Sequence, residues 1–380
     1  MRICLVYDCL YPYTIGGAER WYRALAERLA QAGHEVSYLT LRQWPRGEHP
    51  HVPGVRVVSV GPRMRLYTRG RRRVAPPLVF GAGVLLHLLR SGRRYDVVHT
   101  ASFPYFSVLA AAASRRLHHF RLFVDWFEVW TREYWLEYIG PVGGSIGARV
   151  QRRCARTPQH AFCFSDLHHR RLRAEGFSGP TTVLRGLYAG ELDPAAPRPS
   201  EPLVVSAGRQ IPEKRITAIP PAIAAVLPRL PQLRCEIYGD GPERAATLRL
   251  VADLGLESVV EVPGVVEAER VDDALAHALC LLVPSRREGY GLVVIEAAAH
   301  GTPSVLVVGD DNAAAELIRD GENGVLAEST EPGDLAQAVI RVHAAGEKLR
   351  ASTAKWFERN RHELSIDGSV DAVLEAYGRG

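Results

Sequence analysis

The stretch that decides the fold is Pro284-Ser-Arg-Arg-Glu-Gly-Tyr-Gly-Leu-Val-Val-Ile-Glu296, which continues into Ala297-Ala-Ala-His-Gly-Thr-Pro303. It joins an apolar strand to a glycine-rich turn and then to a helix that begins near Leu292. The turn lets backbone N–H groups approach a ligand, and the N-terminus of the helix favours an anion. Glu288 and Glu296 can each accept two hydrogen bonds from neighbouring hydroxyls. The stretch therefore predicts a site for a diphosphate that carries a sugar and a ribose.

Four other segments accompany this stretch in a fixed order. They are Gly16-Gly-Ala-Glu19, Gly208-Arg-Gln-Ile-Pro-Glu-Lys214, Tyr238-Gly-Asp-Gly-Pro-Glu243 and Asp320-Gly-Glu-Asn-Gly324. Together with the spacing of Glu288 and Glu296, they resemble the retaining family 4 glycosyltransferases, over nearly the whole chain. The resemblance implies the GT-B fold, in which two Rossmann-like α/β domains face each other across a cleft. It also implies transfer of a hexose from a nucleotide diphosphate sugar, UDP- or GDP-linked, to an acceptor hydroxyl held by the first domain.

The alternation of short apolar runs with amphipathic ones predicts parallel sheets flanked by helices. The expected strands are 3–7, 36–40, 55–60, 96–99, 122–125, 161–164 and 181–184, then 203–207, 235–238, 259–262, 279–283, 304–308 and 324–326. Four prolines in residues 193–202 predict a semi-rigid linker. We therefore predict an acceptor-binding domain over 1–192, a nucleotide-sugar domain over 203–362 and a final segment over 363–380. The resemblance implies that the last helix, roughly Ser365 to Tyr377, crosses back to the first domain.

Composition places the chain among globular proteins with two domains. It has 380 residues, 47% of them hydrophobic and 23% charged. Residues 1–190 carry 28 Arg and Lys against 12 Asp and Glu, whereas residues 191–380 carry 19 against 30. A basic first half suits an anionic partner, but no nucleic-acid module accompanies the charge, so nucleic acid is not expected.

The cysteines and the N-terminus bear on the compartment. None of the six cysteines forms a C-x-x-C pair or a zinc spacing, which indicates reduced thiols. The chain starts directly with an apolar strand and shows no secretory leader pattern. We expect a cytoplasmic protein, at most peripheral at the inner membrane surface.

The resemblance assigns the donor site to both halves of the chain. Arg209 and Lys214 would hold the diphosphate and stabilise charge on the leaving nucleotide. Glu288 would contact the sugar near the reacting carbon, and Glu296 the ribose. The donor-binding set is completed by Gly16, Gly17, Gly239, Gly264, Val265, Gly289, Tyr290, Gly291, Leu292 and Val293. No metal or cofactor is expected, because no D-x-D follows a strand and Asp310-Asp311 is interpreted as part of a turn.

The acceptor side departs from the family pattern. The segment that should hold a histidine reads Leu122-Phe-Val-Asp-Trp-Phe-Glu-Val-Trp130, with Phe127 at the histidine position, or Asp125 if the alignment slips by two. Asp125 or Glu128 is then the carboxylate that positions the acceptor hydroxyl, since the leaving phosphate can take the proton in a retaining transfer.

The acceptor-binding candidates are Glu19, His99, Trp126 and Trp130. Two alternatives stay open: His99 has a purely hydrogen-bonded role, and half of the aromatic residues at 126–138 pack under a helix. The acceptor itself is expected to be a small molecule, a glycan or a lipid-linked sugar.

Two alternatives from other classes remain. The missing histidine would suit a sugar-nucleotide-binding protein that has lost catalysis, and other GT-B enzymes include sugar phosphorylases and epimerases. A nicotinamide dehydrogenase is excluded, because Tyr7-Asp8-Cys9-Leu10 after the first strand lacks the G-x-G-x-x-G turn. The basic run Arg63–Arg73, followed by apolar Pro77–Leu89, would suit an anionic membrane, a phosphorylated acceptor or a solvated loop.

Overall fold

The computed structural model describes residues 1–68, 71–193 and 197–379. The chain forms two units, one made of residues 1–187 together with the residues from Ile366 onward, and the other of residues 188–365. The first unit is therefore discontinuous in sequence. We describe each unit separately.

The first unit is built on a seven-stranded parallel sheet of order β3-β2-β1-β6-β7-β8-β9. Its strands are β1 (Arg2–Val6), β2 (Glu35–Leu41), β3 (Val55–Gly61), β6 (Val97–Ala101), β7 (Arg121–Trp126), β8 (His160–Cys163) and β9 (Thr181–Val183). A separate short pair consists of β4 (Tyr67–Thr68) and β5 (Arg71–Arg72). The helices are α1 (Gly17–Gln31), α2 (Ala75–Ser91), α3 (Phe106–Ser114), α4 (Arg132–Ala155), α5 (Asp166–Ala174) and α11 (Ile366–Gly378). Central strands such as β1 are continuous apolar runs because helices cover both of their faces.

Helix α1 shows how the sequence sets a local element. Trp21, Leu25 and Leu29 recur every four residues and are fully buried, so one face of the helix packs on the sheet. The helix begins after Gly16, where a β-carbon would come within 2.4 Å of Oε2 of Glu19. A larger residue at position 16 would therefore displace the Glu19 carboxylate from the start of the helix.

The second unit is built on a six-stranded parallel sheet of order β12-β11-β10-β13-β15-β17. Its strands are β10 (Leu203–Ala207), β11 (Arg234–Tyr238), β12 (Val260–Gly264), β13 (Cys280–Val283), β15 (Ser304–Val307) and β17 (Gly324–Ala327), and β14 (Arg287–Glu288) pairs separately with β16 (Asp311–Asn312). The helices are α6 (Ile219–Val226), α7 (Arg244–Asp253), α8 (Ala268–His277), α9 (Leu292–Ala299) and α10 (Pro332–Leu364). A continuous core of mostly aliphatic residues from α6, α10 and all six strands fills one face of this sheet.

The two parallel sheets confirm the predicted α/β class. Each of the thirteen expected strands is present, with ends that differ by at most two residues, and the final helix is α11. The short pair β14 and β16 was not predicted. Asp310-Asp311, interpreted as part of a turn, lie between Gly309 and Asn312, whose N–H donates to the Gly309 carbonyl at 3.1 Å, and Asp311 also begins β16 by pairing with Arg287.

The expected linker contains no helix or strand at the described positions 193 and 197–202, whereas its residues 194–196 lie outside the description. Within the described parts of the chain, no helix has the length and apolarity needed to cross a membrane.

Candidate active site

The loops that follow four neighbouring strands of the second unit carry most of the predicted donor residues. Since all six strands of this sheet are parallel, the loops after β10, β11, β12 and β13 leave from the same edge. They contain the segments 208–214, 239–243, 264–265 and 284–291. The structure therefore brings together residues that are up to 80 positions apart in the sequence.

An ion pair joins two of these loops. The ammonium of Lys214 donates to Oε1 of Glu288, and the Ser285 hydroxyl donates to the same oxygen at 2.9 Å. The Lys214 and Glu288 side chains are 20% and 11% exposed, so the pair is shielded but still reachable. A backbone bond from Arg286 N to the Glu213 carbonyl, 2.9 Å long, ties the loops together beside it. Glu288 is thus held in one place by charge, by a hydroxyl and by the backbone.

A second connection links the loops after β10 and β11 through Gln210. Its amide nitrogen donates to the Gly239 carbonyl at 2.8 Å, its backbone N–H donates to Asp240 O at 2.9 Å, and its carbonyl accepts from Glu243 N at 2.9 Å. The loops pass so closely that a β-carbon on Gly239, at φ +107°, would lie 2.0 Å from the Gly208 carbonyl oxygen. Glycine at position 239 is therefore required by the backbone approach itself.

The turn before α9 adopts a backbone conformation that glycine alone accepts easily. Gly291 has φ +93°, and a β-carbon there would lie 2.4 Å from Cβ of Ala314. One turn into the helix, Glu296 lies half-buried close to Tyr188. Burial raises the pKa of Tyr188 to about 12, and the carboxylates of Asp272 and Glu296 add to that rise. The remaining predicted residues of this segment are half-buried, namely Gly289, Tyr290, Leu292 and Val293.

Two predicted donor residues of the second unit are open to solvent. Arg209 is exposed beside the buried Gln210, and Val265 is 79% exposed just after β12. Gly264 is buried and accepts from Gly239 N at 2.7 Å, which connects the loops after β11 and β12. The edge thus offers an exposed guanidinium, an ammonium, two carboxylates and the start of a helix.

In the first unit the N-terminus of α1 is the corresponding feature. Gly17 is exposed, and a β-carbon there would meet no atom within 4 Å. Glu19, predicted to contact the acceptor, is only 6% exposed and folds back over Gly16. Its carboxylate is thus next to the free N–H groups of the helix end and nearly out of solvent.

Asp125, His99 and Trp126, which were predicted near the acceptor, lie in β6 and β7 with their side chains in the interior. All three are fully buried. Nε2 of His99 lies 2.8 Å from one oxygen of Asp125, whose other oxygen accepts from Trp21 Nε1 at 2.8 Å. Nδ1 of His99 lies 2.6 Å from the hydroxyl of Tyr377 on α11. Direct contact of these three side chains with an acceptor is therefore not supported. Their partners make them part of the interior of the first unit, as in the alternative that the sequence left open for His99.

The hydroxyl of Tyr377 keeps its proton in this environment. Burial, followed by the negative charge of Asp125, raises its pKa well above the usual range for a phenol. The protonated hydroxyl can donate to Nδ1 of His99, while Nε2–H of the same ring donates to Asp125. We name this chain of groups, Trp21, Asp125, His99 and Tyr377, the buried relay.

Glu128 and Trp130 are half-exposed and lie against a cluster of aromatic residues. Trp130 donates from Nε1 to Glu128 at 2.7 Å, and its backbone is held by the buried amide of Gln151. Its ring contacts Phe103, Tyr134, Trp135 and Tyr138 at centroid distances of 4.6 to 6.0 Å. Phe127, at the position of the family histidine, is half-buried and stacks on Phe164. Glu128 and Trp130 stay the predicted acceptor contacts that solvent can reach.

Sequence reasoning missed the residues that hold the others in place. Ser285 is 2% exposed and Gln210 is fully buried, although both stand inside segments that were singled out. In the sequence each is only a polar residue next to a charged one in a loop of fixed length. That pattern does not indicate which way the side chain points. In the described parts of the chain, no cluster of three or more His, Cys, Asp or Glu side chains could hold a metal ion.

Two family models match the chain. The one described as glycosyl transferase 4-like domain matches residues 16–185, and the one described as glycosyl transferases group 1 matches residues 192–356. The structure of sucrose-phosphate synthase from Thermosynechococcus elongatus is similar with a TM-score of 0.80 and 21% identity, covering 100% of this chain and 98% of that one. Anabaena Alr3699/HepE in complex with UDP and glucose gives a TM-score of 0.75 and 17% identity, covering 100% of both chains. At these identities the likeness shows the fold, which is GT-B.

Among curated relatives, the glycogen synthase of Mycobacterium tuberculosis is 28% identical over 382 residues, covering 93% of this chain and 89% of that protein. The matches to the first curated relatives are partial and span less than half of their length, between 18% and 48%. The two family models, which together span most of the chain, both describe glycosyltransferases. The chain belongs to the group 1 glycosyltransferases, family 4, with the GT-B fold.

Proposed function

We propose that this enzyme is a retaining hexosyltransferase, that UDP or GDP carries its donor sugar, and that the acceptor hydroxyl is held by the first unit. The observation that carries the proposal is the fixed position of Glu288. An ammonium, a hydroxyl and a backbone bond hold this carboxylate at the sheet edge, next to the N-terminus of α9. A preorganised carboxylate of this kind suits a sugar ring, since it accepts two hydroxyls without moving.

The diphosphate would be met by positive groups from the same edge. Arg209 is exposed, Lys214 is shared with Glu288, and the unpaired N–H groups of α9 add the positive end of a helix. As the bond to the sugar breaks, negative charge grows on the leaving phosphate, and these groups stabilise it more than they stabilise the intact donor. No metal is needed for this role, so EDTA should leave activity unchanged.

The burial of His99 and Asp125 supports a retaining transfer, which needs no protein base for the acceptor proton. Among the residues of the first unit, His99 and Asp125 are buried in the relay and offer no exposed base. The leaving phosphate oxygen is then the group that accepts the acceptor proton, on the same face of the sugar. Glu128, half-exposed and bonded to Trp130, would orient the acceptor hydroxyl.

The base and sugar are supported by a structural neighbour. Anabaena Alr3699/HepE was solved with UDP and glucose and also with UDP-glucose. A UDP-hexose is therefore the first donor to test, and a GDP-hexose the second. The acceptor is proposed as a small molecule, glycan or lipid-linked sugar with an anionic group, since the first half of the chain is strongly basic.

The test is a thermal-shift screen with UDP, GDP, ADP and dTDP and their sugars, followed by slow donor hydrolysis monitored by NMR. A nucleotide at 100 times its dissociation constant adds about 2.7 kcal/mol of stability. We expect one base to give a shift and the first hexose released to have the donor's anomeric configuration. Glu288→Gln should slow hydrolysis about 100-fold, Arg209→Ala should weaken binding, and Arg249→Ala, an exposed arginine of α7, is the control.

A sugar-nucleotide-binding protein without catalysis is the second candidate, favoured by Phe127 at the histidine position. It predicts a clear thermal shift with no donor hydrolysis at any enzyme concentration. A sugar phosphorylase would show turnover that depends on inorganic phosphate. An inverted anomer, or hydrolysis that survives Glu288→Gln unchanged, would contradict the retaining mechanism.

A further inference from the structure

Helix α2 of the first unit is apolar on both of its sides. Phe80, Val84 and Leu88 are fully buried against the unit, as expected. On the opposite side Val74 is 68% exposed, and Leu78 and Leu86 are nearly half exposed. No Asp, Glu, Lys or Arg occurs from position 75 to position 89. A helix that is hydrophobic all round is normally buried all round, so the exposed side is the unusual feature.

The exposed side forms one continuous strip. Its residues are spaced by three or four positions and therefore share one face of the helix. They are Val74, Leu78, Ala82, Leu86 and Leu89, which we name the α2 face. At 1.5 Å per residue, the strip is about 22 Å long. Nε2 of His118 lies 3.1 Å from the Leu89 carbonyl at the C-terminal end of the strip, and the residue before His118, Leu117, is 66% exposed.

The charge around the α2 face has one sign. Between Glu48 and Asp96 the sequence contains ten arginines and no acidic residue, and Asp96 itself is paired with Arg2. The exposed arginines close to α2 in the sequence are Arg63, Arg65, Arg73, Arg90, Arg93 and Arg94, and Arg116 follows α3, which packs on α2. Over the described residues, none of these seven forms an ion pair with a carboxylate. Residues 69 and 70 of the predicted basic run, and the side chains of 67–72, lie outside the description.

We propose that the α2 face rests on an anionic lipid membrane. Leucine side chains on an exposed helix face bury their apolar area in the boundary between headgroups and acyl chains, while flanking arginines contact lipid phosphates. A second copy that meets this face with its own α2 face fits poorly as the occupant, because such a two-fold contact would bring positive charge against positive charge. This inference goes beyond the proposed reaction and holds whichever sugar, base or acceptor the enzyme uses.

The test is cosedimentation of the full chain with vesicles. We expect binding to phosphatidylcholine vesicles that contain phosphatidylglycerol, and little binding to phosphatidylcholine alone. Raising salt from about 0.1 M to about 0.5 M should release the protein, since screening shortens the reach of the arginines. Equal binding to both kinds of vesicle, or no binding to either, overturns the proposal, and the second result would leave an acidic protein as the occupant.

Two double variants separate the apolar and charged contributions. Leu78→Gln with Leu86→Gln should lower the vesicle partition coefficient at least about tenfold. Arg90→Glu with Arg93→Glu should lower it about 25-fold or more, at roughly fivefold for each arginine lost.

The controls come from α7 of the second unit. Leu248→Gln changes a leucine that is 41% exposed, like Leu89, and Arg249→Glu reverses an exposed arginine. Both should bind vesicles as the unmodified chain does. Equal losses in test and control variants would overturn the proposal. The nucleotide thermal shift, measured on all variants, should stay unchanged, which keeps failure here distinct from failure of the proposed reaction.

Discussion

Removing the hydroxyl of Tyr377 should destabilise the first unit although the site lies on its last helix. The hydroxyl is 2.6 Å from Nδ1 of His99, and both residues are essentially without solvent exposure. In Tyr377→Phe the ring keeps its place, with its centroid 4.6 Å from that of Phe123, so no cavity forms. The cost is therefore that of a buried nitrogen left without a partner, about 1–3 kcal/mol.

Urea unfolding followed by tryptophan fluorescence measures this loss. Five of the six tryptophans lie in the first unit, and only Trp356 lies in the second, so the signal reports mainly on the unit that contains the relay. With a slope of about 2 kcal/mol per molar, a loss of about 2 kcal/mol lowers the midpoint by about 1 M. Tyr13→Phe is the control, because Tyr13 is 41% exposed. A midpoint for Tyr377→Phe equal to that of the control would refute the reasoning.

Three other predictions concern Ser285, Gly291 and the buried tyrosines of the first unit. Ser285→Ala should weaken binding of the nucleotide sugar about three- to tenfold, because Glu288 loses one of its hydrogen-bond partners. Titration calorimetry measures this affinity. An unchanged affinity would show that Lys214 alone positions the Glu288 carboxylate. Gly291→Ala should cost more than about 1 kcal/mol, since φ is +93° and the new methyl would meet Ala314, and a urea midpoint at the wild-type value would contradict that strain. Raising the pH above about 10 should progressively unfold the first unit, because buried tyrosines with a raised pKa stabilise it only while they are protonated. Their contribution to the free energy of unfolding is complete below the pKa of tyrosine in the unfolded chain and is lost as the pH rises towards the pKa in the folded chain. The three residues concerned are Tyr22, Tyr38 and Tyr377, and a urea midpoint that does not change between pH 9 and roughly pH 11 would count against this assignment.

The strands of both sheets could be predicted because each is a local apolar run bounded by turn residues. Both ends of the strand Leu203–Ala207 were predicted correctly, and the other predicted strands differ from the observed ones by one or two residues at their ends. The short pair β14 and β16 could not be found this way. Two-residue strands carry no periodicity, and the pairing of Glu288 with Asn312 depends on the path of the chain between them.

In the candidate site, too, local sequence patterns could be predicted, whereas contacts between distant segments could not. Arg209, Lys214, Glu288 and Glu296 could be predicted as site residues because they belong to segments with fixed spacing, and their roles stay predictions. The direct contact of Lys214 with Glu288 joins residues from two loops and needed the structure.

Asp125 illustrates the opposite case. A carboxylate at a strand end predicts a site, but whether it points to solvent is decided by Trp21 and His99, which come from other elements.

The discontinuity of the first unit has a consequence for synthesis. Helix α11 reaches the relay only after all of residues 188–365 have been made, which takes on the order of ten seconds or more at 5–20 residues per second. During that interval β1 to β9 can pair, but His99 and Phe123 have no Tyr377 to cover them. The second unit, continuous in sequence, can finish folding first. Nascent chains should therefore carry an incomplete, chaperone-accessible first unit until the last helix leaves the ribosome.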